Sequence, residues 1–209
     1  KILMNLNKIS EYSFPFKHWE IKECLNNETL DEIKYASIPK GERAYDGTRA
    51  ADYTGEGIDG KLRVFVNKKN SVFFPNLTKV INNLQSNITS NKIAKILDKD
   101  LSSSYVRLEI IADKKGFWLK QHKDIEEKLM TMMVWINPYN ESKSLGTDFY
   151  NKENKLVKTV EYNHNDGYFF SSGQDTWHGL EKKEIKKERR CIQINYVNFE
   201  TDWPVEKKI

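Results

Sequence analysis

The chain has 209 residues, 38% hydrophobic and 31% charged, which is enough for one soluble domain with a sizeable core. Its 34 Lys and Arg against 30 Asp and Glu leave a net charge of +4, too small to point to a nucleic-acid partner. No apolar run approaches the ~20 residues of a membrane span, KILMNLNKIS lacks a signal-like apolar core, and Cys24 and Cys191 form no motif, so a reduced, cytoplasmic setting is expected.

Taken in order, Asn26 or Asn27 can cap a helix with acids in its first turn and a stripe of Leu30, Ile33 and Ala36, stopped by Pro39 and Gly41. His18 and Trp19, just ahead of it, read as packing residues. Five of the ten glycines fall between 41 and 60, which marks a long irregular loop. With Arg43, Tyr45, Asp46, Arg49 and Tyr53 it is a candidate for a substrate-selecting lid. Lys61–Val66 alternates like a strand. Pro75 suits the first position of a helix carrying Leu77, Val80, Ile81 and Leu84, and a second short helix is expected near Asn91–Leu97.

From residue 104 the pattern changes to short β-forming runs between turn signals. The runs are Tyr105–Ala112, Phe117–His122, Leu129–Ile136, Thr147–Tyr150, Leu156–Tyr162, Tyr168–Ser171, Thr176–Leu180 and Cys191–Val197. Strands without intervening long helices predict an antiparallel sandwich or barrel. The expected fold class is therefore mainly β with N-terminal helices. The mixed-sign run Glu181–Arg190 reads as a solvated loop up to its last residues.

The chemistry-bearing feature is His122-Lys123-Asp124, closing the run FWLKQHKD. Side chains at i and i+2 share one face of a strand, so an imidazole and a carboxylate can reach one ion, with His178 as the third ligand. Two histidines and a carboxylate on one face of an octahedron leave three positions open, the arrangement of non-haem iron(II) oxygenases. A second pair, His164-Asn165-Asp166, lies in NHNDG and reads as a turn. The segment RRCIQINYV splits by parity. Arg189, Cys191, Gln193 and Asn195 form a polar row suited to a barrel interior, while Arg190, Ile192, Ile194 and Tyr196 face outward. A guanidinium can pair bidentately with a carboxylate.

The order His122-x-Asp124, His178, Arg189 resembles the iron(II)- and 2-oxoglutarate-dependent dioxygenases, nearest to their prolyl-hydroxylase-like branch of bacterial and phage type. RLEIIADKKGFWLKQHKD, LMTMMVWINPYNESKSLGTDFYN, DTWHGLE and RRCIQINYV carry the resemblance, over about residues 104–198. FPFKHWEI also resembles the helical lead-in of some members. The resemblance implies a double-stranded β-helix (jelly roll) flanked by α-helices. It implies one domain over 1–209, with a helical and loop part at 1–103, a catalytic core at 104–198 and a tail at 199–209. His122, Asp124 and His178 would be the catalytic metal ligands for Fe(II). Arg189, or Arg190 in a shifted register, would take the distal carboxylate of 2-oxoglutarate. Thr131, Met133, Trp135 and Gln193 would complete the co-substrate site, although a tyrosine is commoner where Trp135 stands and Trp135 reads equally well as plain core. With O2, the implied reaction is hydroxylation of a C–H bond with release of succinate and CO2. The retained Asp124 favours hydroxylation over halogenation. The substrate would be a small molecule or peptide of unread identity, with neither membrane nor nucleic acid as partner. Two other readings stay open: a jelly-roll metal- or ligand-binding module without turnover, and a cupin-like metalloenzyme that uses no 2-oxoglutarate.

Overall fold

The structure, a computed structural model, describes residues 4–38 and 61–206. The glycine-rich 41–60 segment, with Arg43, Tyr45, Asp46, Arg49 and Tyr53, lies outside the described residues, as do Pro39 and Gly41. The described chain is mainly β. Its elements are β1 (Ile9–Tyr12), β2 (His18–Ile21), α1 (Asn27–Tyr35), β3 (Lys61–Phe65), α2 (Pro75–Gln85), α3 (Asn87–Leu97), β4 (Tyr105–Asp113), β5 (Leu119–His122), β6 (Lys128–Ile136), β7 (Thr147–Tyr150), β8 (Leu156–Val160), β9 (Gly167–Phe170), β10 (His178–Leu180), β11 (Arg189–Val197) and β12 (Trp203–Pro204).

Three helix ends have a visible cause. The Asn26 side chain accepts from Thr29 N at 2.9 Å and starts α1. Pro75 opens α2, where the Glu32 carboxylate accepts from Asn76 N and Leu77 N, each at 2.8 Å. Asp98, left-handed at φ 52°, closes α3, which begins four residues before the expected Asn91.

The strands form two antiparallel sheets. The larger runs β1-β2-β9-β6-β11-β4-β12, with β3 also on β4, and the smaller runs β5-β10-β7-β8. Strand alternation divides the larger sheet's side chains. Val106, Leu108, Ile110, Met132, Val134, Ile192 and Ile194 join Ile33, Leu77, Val80, Ile81 and Leu84 in a cluster beneath the helices. The opposite parity, including Ile111, Met133, Trp135, Tyr168, Phe170 and Cys191, packs with Phe149, Val160 and Leu180 between the sheets. Burying each of these larger apolar side chains contributes ~1.5–3 kcal/mol, so both faces of the sheet are anchored.

The N-terminal part contains more β structure than the sequence suggests. FPFKHWEI does not form a helical lead-in: its His18–Ile21 portion is strand β2, paired with β9 through Trp19↔Phe169 and Ile21↔Gly167. His18 and Trp19 are buried there, and Trp19 stacks on Phe169 at 5.1 Å. The second HxD pair sits in the turn before β9, where Asn165 adopts φ 63°. The Asn165 amide bonds both ways with the Leu25 backbone, at 2.8 and 3.0 Å, and Asp166 pairs with Lys22 at 2.7 Å.

Candidate active site

β5 and β10 are neighbours in the smaller sheet, and their register sets His122 directly opposite His178. The imidazole centroids stand 4.4 Å apart. Each ring is oriented by its own strand: His122 Nδ1 lies 2.8 Å from Lys120 O, and His178 Nδ1 lies 2.8 Å from Thr176 O. A carbonyl can only accept, so each Nδ1 carries the proton and each Nε2 keeps its lone pair. Both lone pairs face Asp124, whose Oδ1 is 3.6 Å from His122 Nε2 and 3.5 Å from His178 Nε2. The three ligand atoms lie within 4.8 Å of one another.

Burial favours neutral histidine at His122, lowering its pKa below 6.5, and the neighbouring His178 adds to this. Burial alone would raise the pKa of Asp124, but Lys128 and the two imidazoles outweigh it and hold the carboxyl well below the usual range. The donor set thus joins a neutral imidazole at His122 and an ionised carboxylate at Asp124 to the imidazole of His178, the residue types that bind a metal in their deprotonated forms. Donors on one ion at ~2.1 Å stand about 3–4 Å apart, so the 3.5 and 3.6 Å from Asp124 Oδ1 to the two imidazole nitrogens are compatible with one ion.

These residues line a cavity of about 110 Å³ between the sheets. Thr131, Met133, Gln193 and Arg189 line it too, whereas Trp135 is fully buried and packs its ring 4.8 Å from the Arg189 guanidinium. Arg190 points the other way. Its guanidinium donates to Ile33 O and Ala36 O, at 2.8 and 2.9 Å, and so closes the C-terminal end of α1. The parity of β11 therefore puts Arg189, not Arg190, in the cavity. Lys123, between the two candidate ligands, is exposed and lies over the Trp177 ring at 5.1 Å.

Sequence reasoning missed the acidic partner of Arg189. Asp113 is opposite it in the β4–β11 register, and its Oδ2 accepts from Arg189 Nη1 at 2.5 Å. Arg189 also donates through Nε to Leu145 O and through Nη2 to Gly146 O at 3.0 Å. Arg63, Arg107 and Glu109 were missed as well, and all three line the cavity. A signal for them existed: residues 107, 109 and 113 are charged at even spacing along a strand that is otherwise apolar. The cations on the wall are Arg63, Arg107, Lys123, Lys128 and Arg189, against the anions Glu109, Asp113 and Asp124, a balance that attracts anionic ligands.

No family model and no curated protein matches the sequence. Solved structures do match the fold. A prolyl-4-hydroxylase from Pseudomonas putida superposes with a TM-score of 0.59 at 10% identity, covering 88% of this chain and 93% of that one. A prolyl hydroxylase from Trichoplax adhaerens, in complex with a hypoxia inducible factor oxygen degradation domain peptide fragment, gives 0.58 at 15% identity, covering 87% and 83%. A 2OG-Fe(II) oxygenase family oxidoreductase from Burkholderia pseudomallei gives 0.58 at 10% identity, covering 92% and 88%. The chain has the prolyl-hydroxylase-like fold of the 2OG-Fe(II) oxygenases. Within this prolyl-hydroxylase-like fold, the His122, Asp124 and His178 cluster sits on the cavity wall between the sheets.

Proposed function

We propose that the protein is an iron(II)- and 2-oxoglutarate-dependent hydroxylase built on a jelly-roll core over 104–198. The observation that carries this reading is the convergence of His122 Nε2, His178 Nε2 and Asp124 Oδ1 inside a cavity of net positive wall charge. His122, Asp124 and His178 would hold Fe(II). Bound there with 2-oxoglutarate and O2, the metal would supply oxidative decarboxylation to succinate and CO2 coupled to hydroxylation of a C–H bond. The protein's own part is orientation. The carbonyls of Lys120 and Thr176 fix both imidazole tautomers, and the Arg189 fork, five N–H groups of which three are engaged, presents the rest to a ligand carboxylate. Met133 and Gln193 form the wall beside it, with Gln193 Nε2 3.4 Å from Met133 Sδ, and Trp135 supports the guanidinium from behind. The substrate class we assign is a small molecule or peptide, the latter supported by the peptide held in the Trichoplax structure.

Anaerobic equilibrium titration tests this. The protein should bind Fe(II) and then 2-oxoglutarate, and in air it should form succinate. His122→Ala should lose metal binding by at least about a hundredfold while keeping its fold. Wild-type protein that binds neither metal nor 2-oxoglutarate would sink the proposal.

A second reading has one observation in its favour: Asp113 already neutralises Arg189. In that reading the site holds a metal but takes no dicarboxylate, as in a cupin-like metalloenzyme. Tight Fe(II) binding without measurable 2-oxoglutarate affinity would select it.

A further inference from the structure

The Asp124 carboxylate has two oxygens, and only Oδ1 faces the imidazoles. Oδ2 accepts a hydrogen bond from Thr131 Oγ1 at 2.5 Å. Thr131 is expected, from the resemblance, to border the co-substrate. Its hydroxyl is turned toward the carboxylate instead, and the reason lies one strand away. Asn195 is in register with Thr131 on one side and with Arg107 on the other, so the three side chains form a row across β6, β11 and β4. Asn195 Nδ2 is 3.2 Å from Met130 O and 3.1 Å from Thr131 Oγ1, and Asn195 Oδ1 is 3.2 Å from Arg107 Nη2.

Chemistry fixes the direction of every bond in this row. A guanidinium can only donate, so the atom facing Arg107 must be the amide oxygen. A backbone carbonyl can only accept, so the atom facing Met130 must be the amide nitrogen. Asn195 therefore donates to Thr131, and the single Thr131 hydroxyl proton goes to Asp124. Thr131 is 2% and Asn195 1% exposed, so water does not compete for these bonds.

We infer that Thr131 and Asn195 are positioning residues that hold Asp124 as a one-oxygen metal ligand, with Oδ2 turned away from the ion. A carboxylate free to swing would have to be ordered each time it binds the ion, which lowers affinity, and its second oxygen would compete for a position that the co-substrate and O2 need. This inference rests on the reading of His122, Asp124 and His178 as metal ligands.

The test is the affinity of the metal-free protein for Co(II) alone, by calorimetry. Thr131→Val keeps the branched shape and removes the hydroxyl, and it should weaken Co(II) binding at least tenfold. Thr131→Ser restores the hydroxyl and should bind within about threefold of wild type. Asn195→Ala should also weaken binding, and it should add little when combined with Thr131→Val, because it acts through the same hydroxyl. Should Thr131→Val fail to fold, Thr131→Ala carries the same expectation. Thr131→Val binding as tightly as wild type would overturn the inference, as would Thr131→Ser falling as far as Thr131→Val, or fully additive losses with Asn195→Ala. Wild type that binds no Co(II) would overturn the inference by removing the metal centre itself. Normal wild-type binding with an unaffected Thr131→Val overturns the positioning role alone.

Discussion

At the scale of single residues, the cavity's least ordinary feature is Asp113. It is 1% exposed and hydrogen-bonded to a buried arginine that should receive a ligand's carboxylate. A second carboxylate arriving at Arg189 meets both the attraction of the guanidinium and the repulsion of Asp113. At a few ångströms and an effective dielectric near 20, such a repulsion is on the order of a few kcal/mol before screening. Asp113→Asn keeps an acceptor for Arg189 Nη1 and removes the charge. It should tighten 2-oxoglutarate binding about tenfold, read as the dissociation constant of the Fe(II) protein under anaerobic conditions. Weaker binding instead would mean that Asp113 serves to aim Arg189 and not to mask its charge. The sequence made Arg189 visible because Gln193 and Asn195 share its face of the strand while Ile192, Ile194 and Tyr196 take the other. It hid Asp113 because DKKG at 113–116 looks like an ordinary turn, and only strand pairing brings residue 113 to residue 189.

At the scale of elements, the candidate ligands are held by the spacing of two short strands. β10 carries His178 and is flanked on its β5 side by His122. Gly179, next to His178, lies against β5 so closely that an added Cβ would stand 2.6 Å from Leu119 O and 3.1 Å from Gln121 Cα and N. Backbone cannot yield as a flexible side chain does. Gly179→Ala should therefore push β5 from β10, separate the two imidazoles and weaken Co(II) binding by about tenfold or more. The affinity of the metal-free variant measures this, and binding within about twofold of wild type would show that the strand spacing does not set the site. The eight strands expected after residue 104 all occur, with shifts of one or two residues at their ends, because each is bounded by turn residues. β1, β2 and β12 were not legible. β2 and β12 owe their form to distant pairing, β2 with β9 about 150 residues further along and β12 with β4, which local pattern does not show. The charged run 181–190 is the solvated loop expected up to its last residues, with Glu181, Lys182, Glu184, Lys186 and Lys187 exposed, and its end is held by Glu141. The Glu141 carboxylate accepts from the backbone N–H groups of Lys186, Lys187 and Glu188, at 3.0, 2.9 and 2.9 Å, and ties down the segment that delivers Arg189.

At the scale of the whole molecule, the two sheets must stay together for the cavity between them to persist. One edge is closed by a polar cluster. Lys158 of β8, in the smaller sheet, reaches His18 Nε2 at 2.9 Å and Glu20 at 3.0 Å on β2, in the larger sheet, and lies 3.7 Å from the Tyr12 ring centre. His18 Nδ1 is bonded to Phe16 O at 2.8 Å, so its proton is there and Nε2 accepts from the Lys158 ammonium. This arrangement requires a neutral imidazole. Burial lowers the His18 pKa below 6.5, and Lys158 lowers it further against the opposing pulls of Phe16 O and Glu20. The unfolded chain protonates this histidine near pH 6.5, before the folded protein does, so the unfolded state binds more protons below that pH. The stability contribution of His18 is fully present above 6.5 and is lost as pH falls toward its folded value, at up to about 1.4 kcal/mol per pH unit. Urea unfolding of the metal-free protein between pH 7.5 and 5 should show this decline. His18→Phe, which keeps an aromatic ring beside Phe149 but cannot titrate, should be less stable at pH 7.5 and lose stability less steeply below pH 6.5. Parallel pH profiles for the two proteins would show that closure of the sheets does not depend on the protonation of His18.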